Sequence, residues 1–332
     1  MKKISILRIA IALGLITCLL TGNQTVMAAD ANNGQALEIA PPVLILTADP
    51  GQTISAKITV RNISGGKLVV TGQINDFVAA GEDGTPKILM DETNTEKNPY
   101  SIIDWISPMP KLDLISKQVA TLPITITVPD NASPGGHYGV VRFTGVAPEL
   151  EGTGVSLSAS LGSLILVRVS GAIKDELSIS DYYATQDNKK GTFFESAPLT
   201  IALKLKNTGN IHEQPSGLIT VTDMFGRKLA TLGVNATSPQ GNILPSSTRL
   251  FSQKLDSTVI GNKILFGRYK ADLKVTYGTD KTVLTDSITF WVIPYRLIGL
   301  GVIILVGGFL GLRFAIRRYN DHIIKKSDRR RR

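Results

Sequence analysis

Short stretches in which apolar and polar residues alternate fill most of the chain between two continuous apolar segments at its ends. The period of two is seen in residues 56–60, 122–128, 201–206 and 270–275. Alternation of this kind, interrupted by Gly, Pro, Asn and Asp, is typical of antiparallel strands that bury one face. No stretch between the two ends keeps a helical period. The sequence therefore predicts an all-β fold outside its apolar ends.

Two groups of predicted strands resemble copies of one design. In each half a strand ends at an asparagine, Asn62 or Asn207, and enters a turn. Further along each half, a Gly-x-Tyr sequence opens another strand and contributes Tyr138 or Tyr269. A tyrosine at this position suits a tyrosine corner, in which the phenol hydroxyl bonds to backbone a few residues upstream. Two tandem immunoglobulin-like β-sandwiches are therefore the predicted architecture.

The chain is long enough for two such domains, each with its own core. We place the first sandwich at residues 29–172 and the second at residues 173–293. The boundary follows two apolar stretches, 154–160 and 163–169, which are expected to close the first domain as a pair of strands.

The N-terminal segment has the layout of a secretory signal peptide. A basic start precedes the apolar run from Ile9 to Leu20, and small residues follow up to a cleavage site after Ala28. Residues 1–28 are thus expected to be removed. They contain Cys18, the one cysteine of the chain, so the mature protein is expected to have no disulfide. An exported chain of this size without cystines is more typical of bacteria than of animal secretory pathways.

The C-terminal apolar segment predicts a transmembrane helix. Leu297 to Leu312 contains no charged residue, and we place the helix at residues 294–316. The last predicted strand ends within a few residues of it. The second sandwich is therefore expected to lie close to the bilayer, with Trp291 and Tyr295 near the lipid headgroups.

Charge sets the predicted orientation of this helix. From Arg313 onward nine Lys or Arg residues stand against Asp321 and Asp328, and a short cationic flank of this kind stays in the cytoplasm. Residues 317–332 are therefore the predicted basic cytoplasmic tail of a single-pass cell-membrane protein whose ectodomain is extracellular. The net charge of +9 belongs to the two ends of the chain, so it does not indicate a nucleic-acid partner.

The residue pattern does not predict catalysis. His137 and His212 lack companions at metal-ligand spacing, so we expect His137 at an exposed strand edge and His212 in a solvated loop. No Gly-x-Ser-x-Gly motif occurs. The acidic stretch from Glu82 to Thr85 predicts a turn, with calcium coordination as the alternative. The sequence predicts a protein that is not an enzyme and uses no cofactor or metal.

One segment of the first sandwich is a candidate contact surface. Residues 91–105 interrupt the alternation with a polar stretch that runs into aromatic residues, as a recognition loop on a rigid scaffold does. The candidate ligand contacts are Asn94, Lys97, Asn98, Tyr100 and Trp105. The alternative for Trp105 is that its ring fills the core of the first sandwich.

The first half resembles a known family. Pro41 to Leu46, Asp49 to Gln52, and the segment from Val128 to Tyr138 with its proline and paired glycines are similar to the first domain of WxL-interacting proteins. These are bacterial surface proteins, and the resemblance implies a peptidoglycan-binding first domain. The layout of signal, two immunoglobulin-like domains, one helix and a basic tail is similar too. The second half resembles only a generic sandwich.

These observations predict a membrane-anchored extracellular binding protein of the bacterial cell envelope. Its partner is expected to be peptidoglycan, another cell-surface glycan or a surface protein. The alternative function is that of a structural or assembly component of a larger envelope complex, which would use strand edges and the basic tail.

Overall fold

The computed structural model of the protein describes residues 36–90, 98–147, 158–261 and 263–329. Within them the all-β prediction is confirmed, and one long helix stands at the C-terminal end. The expected signal peptide, residues 1–28, lies outside the described residues.

Nine strands build the first sandwich. They are β1 (Leu37–Ala40), β2 (Val43–Ala48), β3 (Thr53–Asn62), β4 (Leu68–Ala80), β5 (Thr85–Leu89), β6 (Leu112–Leu114), β7 (Val119–Thr127), β8 (Gly135–Val146) and β9 (Ser158–Val169). A three-stranded sheet has the order β1-β3-β7, and the larger sheet has the order β2-β9-β8-β4-β5 with β6 beside β4. A 3₁₀ turn, Ile103–Trp105, lies between β5 and β6.

Nine further strands build the second sandwich. They are β10 (Leu177–Gln186), β11 (Lys189–Lys190), β12 (Phe193–Phe194), β13 (Leu199–Asn207), β14 (Ser216–Asp223), β15 (Lys228–Val234), β16 (Thr248–Leu255), β17 (Gly267–Tyr277) and β18 (Thr282–Val292). One sheet has the order β11-β10-β13-β16, and the other has the order β12-β18-β17-β14-β15.

The two sandwiches share one topology. The order β1-β3-β7 in the first corresponds to β10-β13-β16 in the second. In both, a short strand pairs parallel to the last strand of the domain: β2 with β9, and β12 with β18. All other pairings in both larger sheets are antiparallel. The tandem immunoglobulin-like arrangement predicted from the repeated strand pattern is thus confirmed.

The repeated asparagines have equivalent structural roles. Asn62 and Asn207 are both fully buried at the ends of β3 and β13. The Asn62 side-chain amide donates to the Leu114 carbonyl oxygen at 3.0 Å, and that of Asn207 donates to the Ile243 carbonyl oxygen at 2.8 Å. Each amide is thereby satisfied by backbone carbonyl oxygens, which a buried polar side chain needs if it is to be tolerated. Each asparagine thereby ties a strand end to the loop before the next strand of its sheet.

One predicted pair of strands is a single strand. β9 runs without a break from Ser158 to Val169 and pairs with β8 along its whole length. Gly162 interrupts the apolar pattern but not the ladder, because ladder hydrogen bonds use backbone groups alone. The two stretches expected to form separate strands are therefore parts of β9 from Ser158 onward, and residues 154–157 lie outside the described residues.

Two helices complete the described fold. The short helix α1 (Ser257–Ile260) is capped by Asp256, whose carboxylate accepts from the Thr258 backbone N. The long helix α2 (Tyr295–Arg329) follows β18 after two intervening residues. Its span Tyr295–Tyr319 contains an 18-residue window with a mean hydropathy of 2.2. The span extends about 37 Å at the usual helical rise, so the helix is long and apolar enough to cross a membrane.

Candidate functional site

The larger sheet of the first sandwich is apolar on both faces. Side chains from alternate positions of β8 and β9, such as Phe143 and Ile165, fill the core of the sandwich. The residues between them point outward and form a second buried cluster, which consists of Phe77, Tyr138, Val140 and Leu166. Strands buried on both faces require something to cover the outer face. We call these four residues the outer cluster.

The second sandwich covers the outer cluster. Leu244, in the segment before β16, packs against it. The cover leaves a cavity of about 210 Å³ between the two sandwiches. Its floor is formed by apolar side chains of the first sandwich, namely Val43, Phe77, Leu164 and Leu166, and its opposite wall by residues of the second, among them Gln240, Asn242, Leu244 and Arg249. Rim residues Val78, Thr85, Pro86 and Pro239 are exposed, so the cavity opens to solvent as a cleft.

Arg249 places a fixed positive charge in the cleft wall. Its guanidinium lies between Gly84 of the first sandwich and Gly241 of the second, and a Cβ at either glycine would overlap it. The guanidinium donates to the Asn242 carbonyl oxygen at 2.8 Å. Burial lowers the pKa of Arg249, and the negative charge of nearby Asp83 offsets part of this effect. The guanidinium stays charged at any ordinary pH.

Asn242 adds an unused polar atom to the same wall. Its side-chain oxygen is buried and has no hydrogen-bond partner among the described residues. Buried polar groups of this kind are normally satisfied, so this oxygen is an exception close to the cleft, although it has almost no exposed surface itself. The cleft therefore combines an apolar floor with one cation and with polar lining residues such as Gln240 and Thr248, the composition typical of binding sites.

The hairpin between β4 and β5 closes one side of the cleft. Glu82 forms an ion pair with Lys204 at 2.5 Å, and its carbonyl oxygen accepts from the Leu250 backbone N at 2.6 Å. Asp83 accepts from the Thr85 backbone N at 2.9 Å and shapes the turn. The predicted turn from Glu82 to Thr85 is thus confirmed, with both carboxylates engaged by protein groups. Among the described residues, no three His, Cys, Asp or Glu side chains converge on a metal position.

Asn210 joins the two sandwiches at the other side. Its side-chain amide donates to the Ala172 carbonyl oxygen at 2.9 Å, and its side-chain oxygen accepts from the Lys174 backbone N at 2.8 Å. Its own carbonyl oxygen accepts from the Gly136 backbone N at 2.7 Å. Gly135 has φ +128°, and a Cβ there would run into the Asn210 carbonyl oxygen. Gly135 is therefore required by the close approach of the second sandwich, whereas a Cβ at Gly136 would overlap the Tyr138 hydroxyl of its own strand.

Tyr138 is not a tyrosine corner, which corrects the sequence-based expectation. Its ring belongs to the outer cluster and lies edge-on to His212 of the second sandwich, with ring centroids 5.8 Å apart. Its hydroxyl is buried near the backbone of His212, makes no hydrogen bond of normal geometry to a described residue, and does not bond to the backbone upstream of it. Tyr269 does match the expectation, because its hydroxyl accepts from the Phe266 backbone N at 3.1 Å, three residues upstream.

Both histidine predictions are wrong. His137 is buried, with Nε2 2.8 Å from the Ser133 carbonyl oxygen. His212 is half-buried at the domain junction rather than solvated. Burial lowers the pKa of His137, and burial together with the charge of Arg168 lowers the pKa of His212 to about 4. Both rings are therefore neutral at pH 7. The sequence does not reveal their burial because the elements that cover them are distant along the chain.

Three of the predicted contact residues are described, and each has intramolecular partners. Asn98 is half-buried and its side-chain oxygen accepts from the Tyr100 backbone N at 3.1 Å. The Tyr100 ring packs against the outer cluster, and its carbonyl oxygen accepts from the Tyr138 backbone N at 2.6 Å. Asn94 and Lys97 lie outside the described residues.

Trp105 is half-buried and packs against the core of the first sandwich. Its ring lies 4.6 Å from that of His137, measured between centroids. This placement agrees with the alternative in which Trp105 completes the core. Of the described contact candidates, Tyr100 lies beside the outer cluster, and none of the three lines the cleft.

Sequence reasoning missed the cleft residues Asn242, Leu244 and Arg249. Nothing local distinguishes them, since each lies in or beside an ordinary strand. One signal was present: Leu164 to Val167 is a run of four aliphatic residues without alternation, which is typical of a strand covered on both faces.

No protein-family model matches the chain, and no curated protein is similar to it in sequence. Several solved structures are distantly similar to this chain. The class 5 fimbriae chaperone CfaA is 16% identical over 78% of this chain and 100% of its own, with a TM-score of 0.37. The E. coli chaperone DraB is 15% identical over 78% of this chain and 98% of its own, with a TM-score of 0.34. A chain in the complex of Salmonella enterica SafA pilin with the SafB chaperone is 14% identical over 77% of this chain and 96% of its own, with a TM-score of 0.34. Likenesses this distant carry no information about ligand or activity.

Proposed function

We propose that this protein is a non-catalytic, membrane-anchored binding protein of the bacterial envelope, and that the cleft between its two sandwiches holds a segment of a protein partner. The observation that carries the proposal is the composition of the cleft. A cavity of about 210 Å³ has an apolar floor, an exposed rim and the fixed charge of Arg249 in its wall.

Cleft size and chemistry favour a protein segment over a glycan. The cavity is smaller than the roughly 300 to 1,000 Å³ typical of whole small-molecule sites, and it suits one or two apolar side chains. A sugar would bury hydroxyls against Val43, Leu164 and Leu166, which offer no hydrogen bond, and burial of an unpaired hydroxyl is unfavourable. Arg249 fits a carboxylate or peptide carbonyl beside the apolar side chain.

Membrane anchoring and orientation belong to the same proposal. The length and hydropathy of α2 support anchoring. The cationic flank after Leu312 supports a cytoplasmic C-terminus, which leaves both sandwiches outside. The absence of cysteine after Cys18 and the resemblance of the first half to WxL-interacting proteins support a bacterial envelope.

The same resemblance favours a different ligand, peptidoglycan, which would engage the first sandwich. A role as an assembly component of a larger complex would use the cleft for a permanent partner. The peptidoglycan alternative gives a different outcome in the following experiment.

A photo-crosslinking amino acid at Val78, on the exposed rim, tests the cleft in cells that express the full chain. The matched control carries it at Leu218, which is 52% exposed on the second sandwich and is not part of the cleft lining. We expect Val78 to give a discrete protein adduct that Leu218 does not give. Leu164→Trp, which fills the cleft from its floor, should abolish the adduct.

Purified sacculi provide the second arm. Retention of the full chain on sacculi, unchanged by Leu164→Trp and without an adduct at Val78, would replace the protein-segment proposal by the wall-glycan one. An adduct at Val78 that survives Leu164→Trp would contradict binding in the cleft.

A further inference from the structure

The end of the second sandwich next to helix α2 carries several exposed large apolar side chains. Phe193 is 69% exposed, Phe225 71%, Ile264 75% and Phe266 57%. Single exposed apolar residues are normal on protein surfaces, whereas a group of them at one place indicates an interaction surface.

Strand register places these residues at one end of one sheet. Phe193 is the register partner of Trp291, and their rings stack with centroids 6.4 Å apart. Asp223, after which the turn with Phe225 begins, is the register partner of Tyr269 near the start of β17. The loop with Ile264 and Phe266 runs directly into that start. β18 ends at this same edge, since its Val292 pairs with Gly267.

The membrane helix is attached to this edge by short, direct contacts. The Ile293 backbone N donates to the Phe194 carbonyl oxygen at 2.8 Å, and Tyr295 begins α2 immediately after Pro294. Arg296, in the first turn of the helix, pairs with Glu195 at 3.4 Å. A bilayer that surrounds α2 therefore begins beside the exposed apolar residues.

Three cationic side chains lie close to these exposed apolar residues. A cavity of about 500 Å³ lies between the β14–β15 turn and the loop before β17. Its lining includes Arg227, Lys228 and Lys263, against the one carboxylate of Asp223, which pairs with Arg227 at 2.8 Å. Exposed apolar side chains next to a group of cations are the composition of surfaces that bind anionic lipid bilayers.

We propose that this end of the second sandwich docks on the outer leaflet beside its own helix. Phe225, Ile264 and Phe266 insert at the boundary between headgroups and acyl chains. The basic cavity takes the phosphate of an anionic phospholipid. The proposal rests on the membrane-anchoring part of the proposed function and adds a second, sandwich-mediated contact with the bilayer.

Docking would also set the height of the interdomain cleft. The junction with the first sandwich lies at the opposite end of β17, where the guanidinium of Arg168 on β9 donates to the Thr279 hydroxyl at 3.1 Å. β17 has 11 residues, which at the usual strand rise span about 35 Å. A docked second sandwich therefore holds the cleft roughly that far above the membrane and limits its tilt.

Site-directed spin labelling of the full chain in lipid nanodiscs tests the docking. In a Cys18→Ser background, single cysteines replace Phe225 or Ile264. Ile115, which is 64% exposed on the first sandwich, is the aqueous control, and Leu305 in α2 is the membrane control. We expect nitroxides at Phe225 and Ile264 to be more accessible to oxygen and less accessible to a water-soluble nickel chelate than the label at Ile115.

The controls separate the two proposals. If the labels at Phe225 and Ile264 match Ile115 while Leu305 lies deep in the bilayer, the helix anchors the chain and the docking proposal is wrong. If Leu305 is itself accessible to the nickel chelate, the membrane-anchoring proposal fails.

Lipid charge tests the headgroup site. We expect deeper insertion of the Phe225 label in nanodiscs with 30% anionic lipid than in neutral ones, a composition chosen as roughly physiological. The triple change of Arg227, Lys228 and Lys263 to Gln should remove this difference. The matched triple change of Lys57, Lys87 and Lys111, exposed on the first sandwich, should not. Equal depth in both lipids, or a difference abolished by millimolar free phosphate alone, would contradict a lipid-headgroup site.

Discussion

The two tyrosines of the Gly-x-Tyr sequences lie on equivalent strands of the two sandwiches but have different partners. Tyr269 on β17 stays within its own domain, where its ring stacks on Phe290 at 5.8 Å. Tyr138 on β8 faces out of its domain and meets His212 of the other sandwich. The same three-residue pattern therefore serves as an internal corner in one domain and as a domain contact in the other.

The difference follows from a shift of one residue. Gly135 opens β8 and pairs with Val169, as Gly267 opens β17 and pairs with Val292. Counted from these glycines, Tyr269 is the third residue and Tyr138 the fourth, and neighbouring residues of a strand point to opposite faces.

His137 is the residue of the first sandwich that stands where Tyr269 stands in the second. Its Nε2 lies 2.8 Å from the Ser133 carbonyl oxygen, four residues upstream. The contact parallels the bond between the Tyr269 hydroxyl and the backbone of Phe266. A histidine thus makes the corner, which frees Tyr138 to contact the second sandwich.

Truncation of each tyrosine to alanine should have the largest effect on stability. It tests most directly whether the two tyrosines have different partners. Loss of a buried aromatic ring costs about 3 to 5 kcal/mol. Tyr269→Ala should therefore lower the melting temperature of the second sandwich itself. Tyr138→Ala should instead uncouple the sandwiches and split one calorimetric transition of the full chain in detergent into two. A single, uniformly shifted transition in Tyr138→Ala would contradict the assignment of Tyr138 to the junction.

The pH dependence of stability should show two opposing groups at the junction. Burial and the charge of Asp175 raise the pKa of Glu213 from 4.5 to about 7. The folded protein holds this proton after the unfolded chain has released it, so the contribution of Glu213 to stability falls by about 3 kcal/mol as pH rises from 4.5 to 7. His212, with a folded pKa of about 4, acts in the opposite direction. Between pH 6.5 and 4 the unfolded chain binds its proton first, so stability falls as pH falls.

Denaturant unfolding of two variants at pH 5, 6, 7 and 8 separates these groups. Glu213→Gln should leave a stability that rises with pH up to about pH 6.5. His212→Asn should leave one that falls with pH up to about pH 7. Identical pH profiles for the two variants would rule out both assignments.

Substitution of the glycines around Arg249 should have a smaller effect, confined to the junction. Gly84→Ala and Gly241→Ala place a methyl group in the guanidinium, and forced displacement in a packed site costs about 1 to 3 kcal/mol. Each should speed proteolysis at the junction. Gly226→Ala, at φ +77° with no neighbouring atom, is the matched control for Gly84→Ala, whose φ is +80°. Gly66→Ala, which also meets no neighbouring atom, is the matched control for Gly241→Ala.

Removal of the two hydroxyl groups should give the smallest effect and the sharpest contrast. Tyr269→Phe loses a hydrogen bond to backbone and should cost about 1 kcal/mol. Tyr138→Phe removes a hydroxyl that has no partner in the described structure and should leave the free energy of unfolding unchanged or slightly raised. Equal losses in the two variants would show that the hydroxyls are used alike.

Much of the fold was predictable because it depends on local pattern. Alternation predicted the strands, and the repeated asparagines indicated two related domains before their shared buried roles were known. The candidate site was largely unpredictable. Arg249 lies in the cleft because Gly84 and Gly241 from different sandwiches both leave room for it, and no local pattern records a contact between such distant positions.

The sequence by itself determined which segments form strands, where the apolar helix lies and how charge is distributed around it, because periodicity, hydropathy and charge are properties of neighbouring residues. Only the tertiary structure decided that Tyr138 faces the second sandwich, that both histidines are buried and that a cleft remains beside the outer cluster. These outcomes depend on a one-residue difference in strand position and on which surfaces the second sandwich covers. Both are set by packing between segments that are remote in sequence.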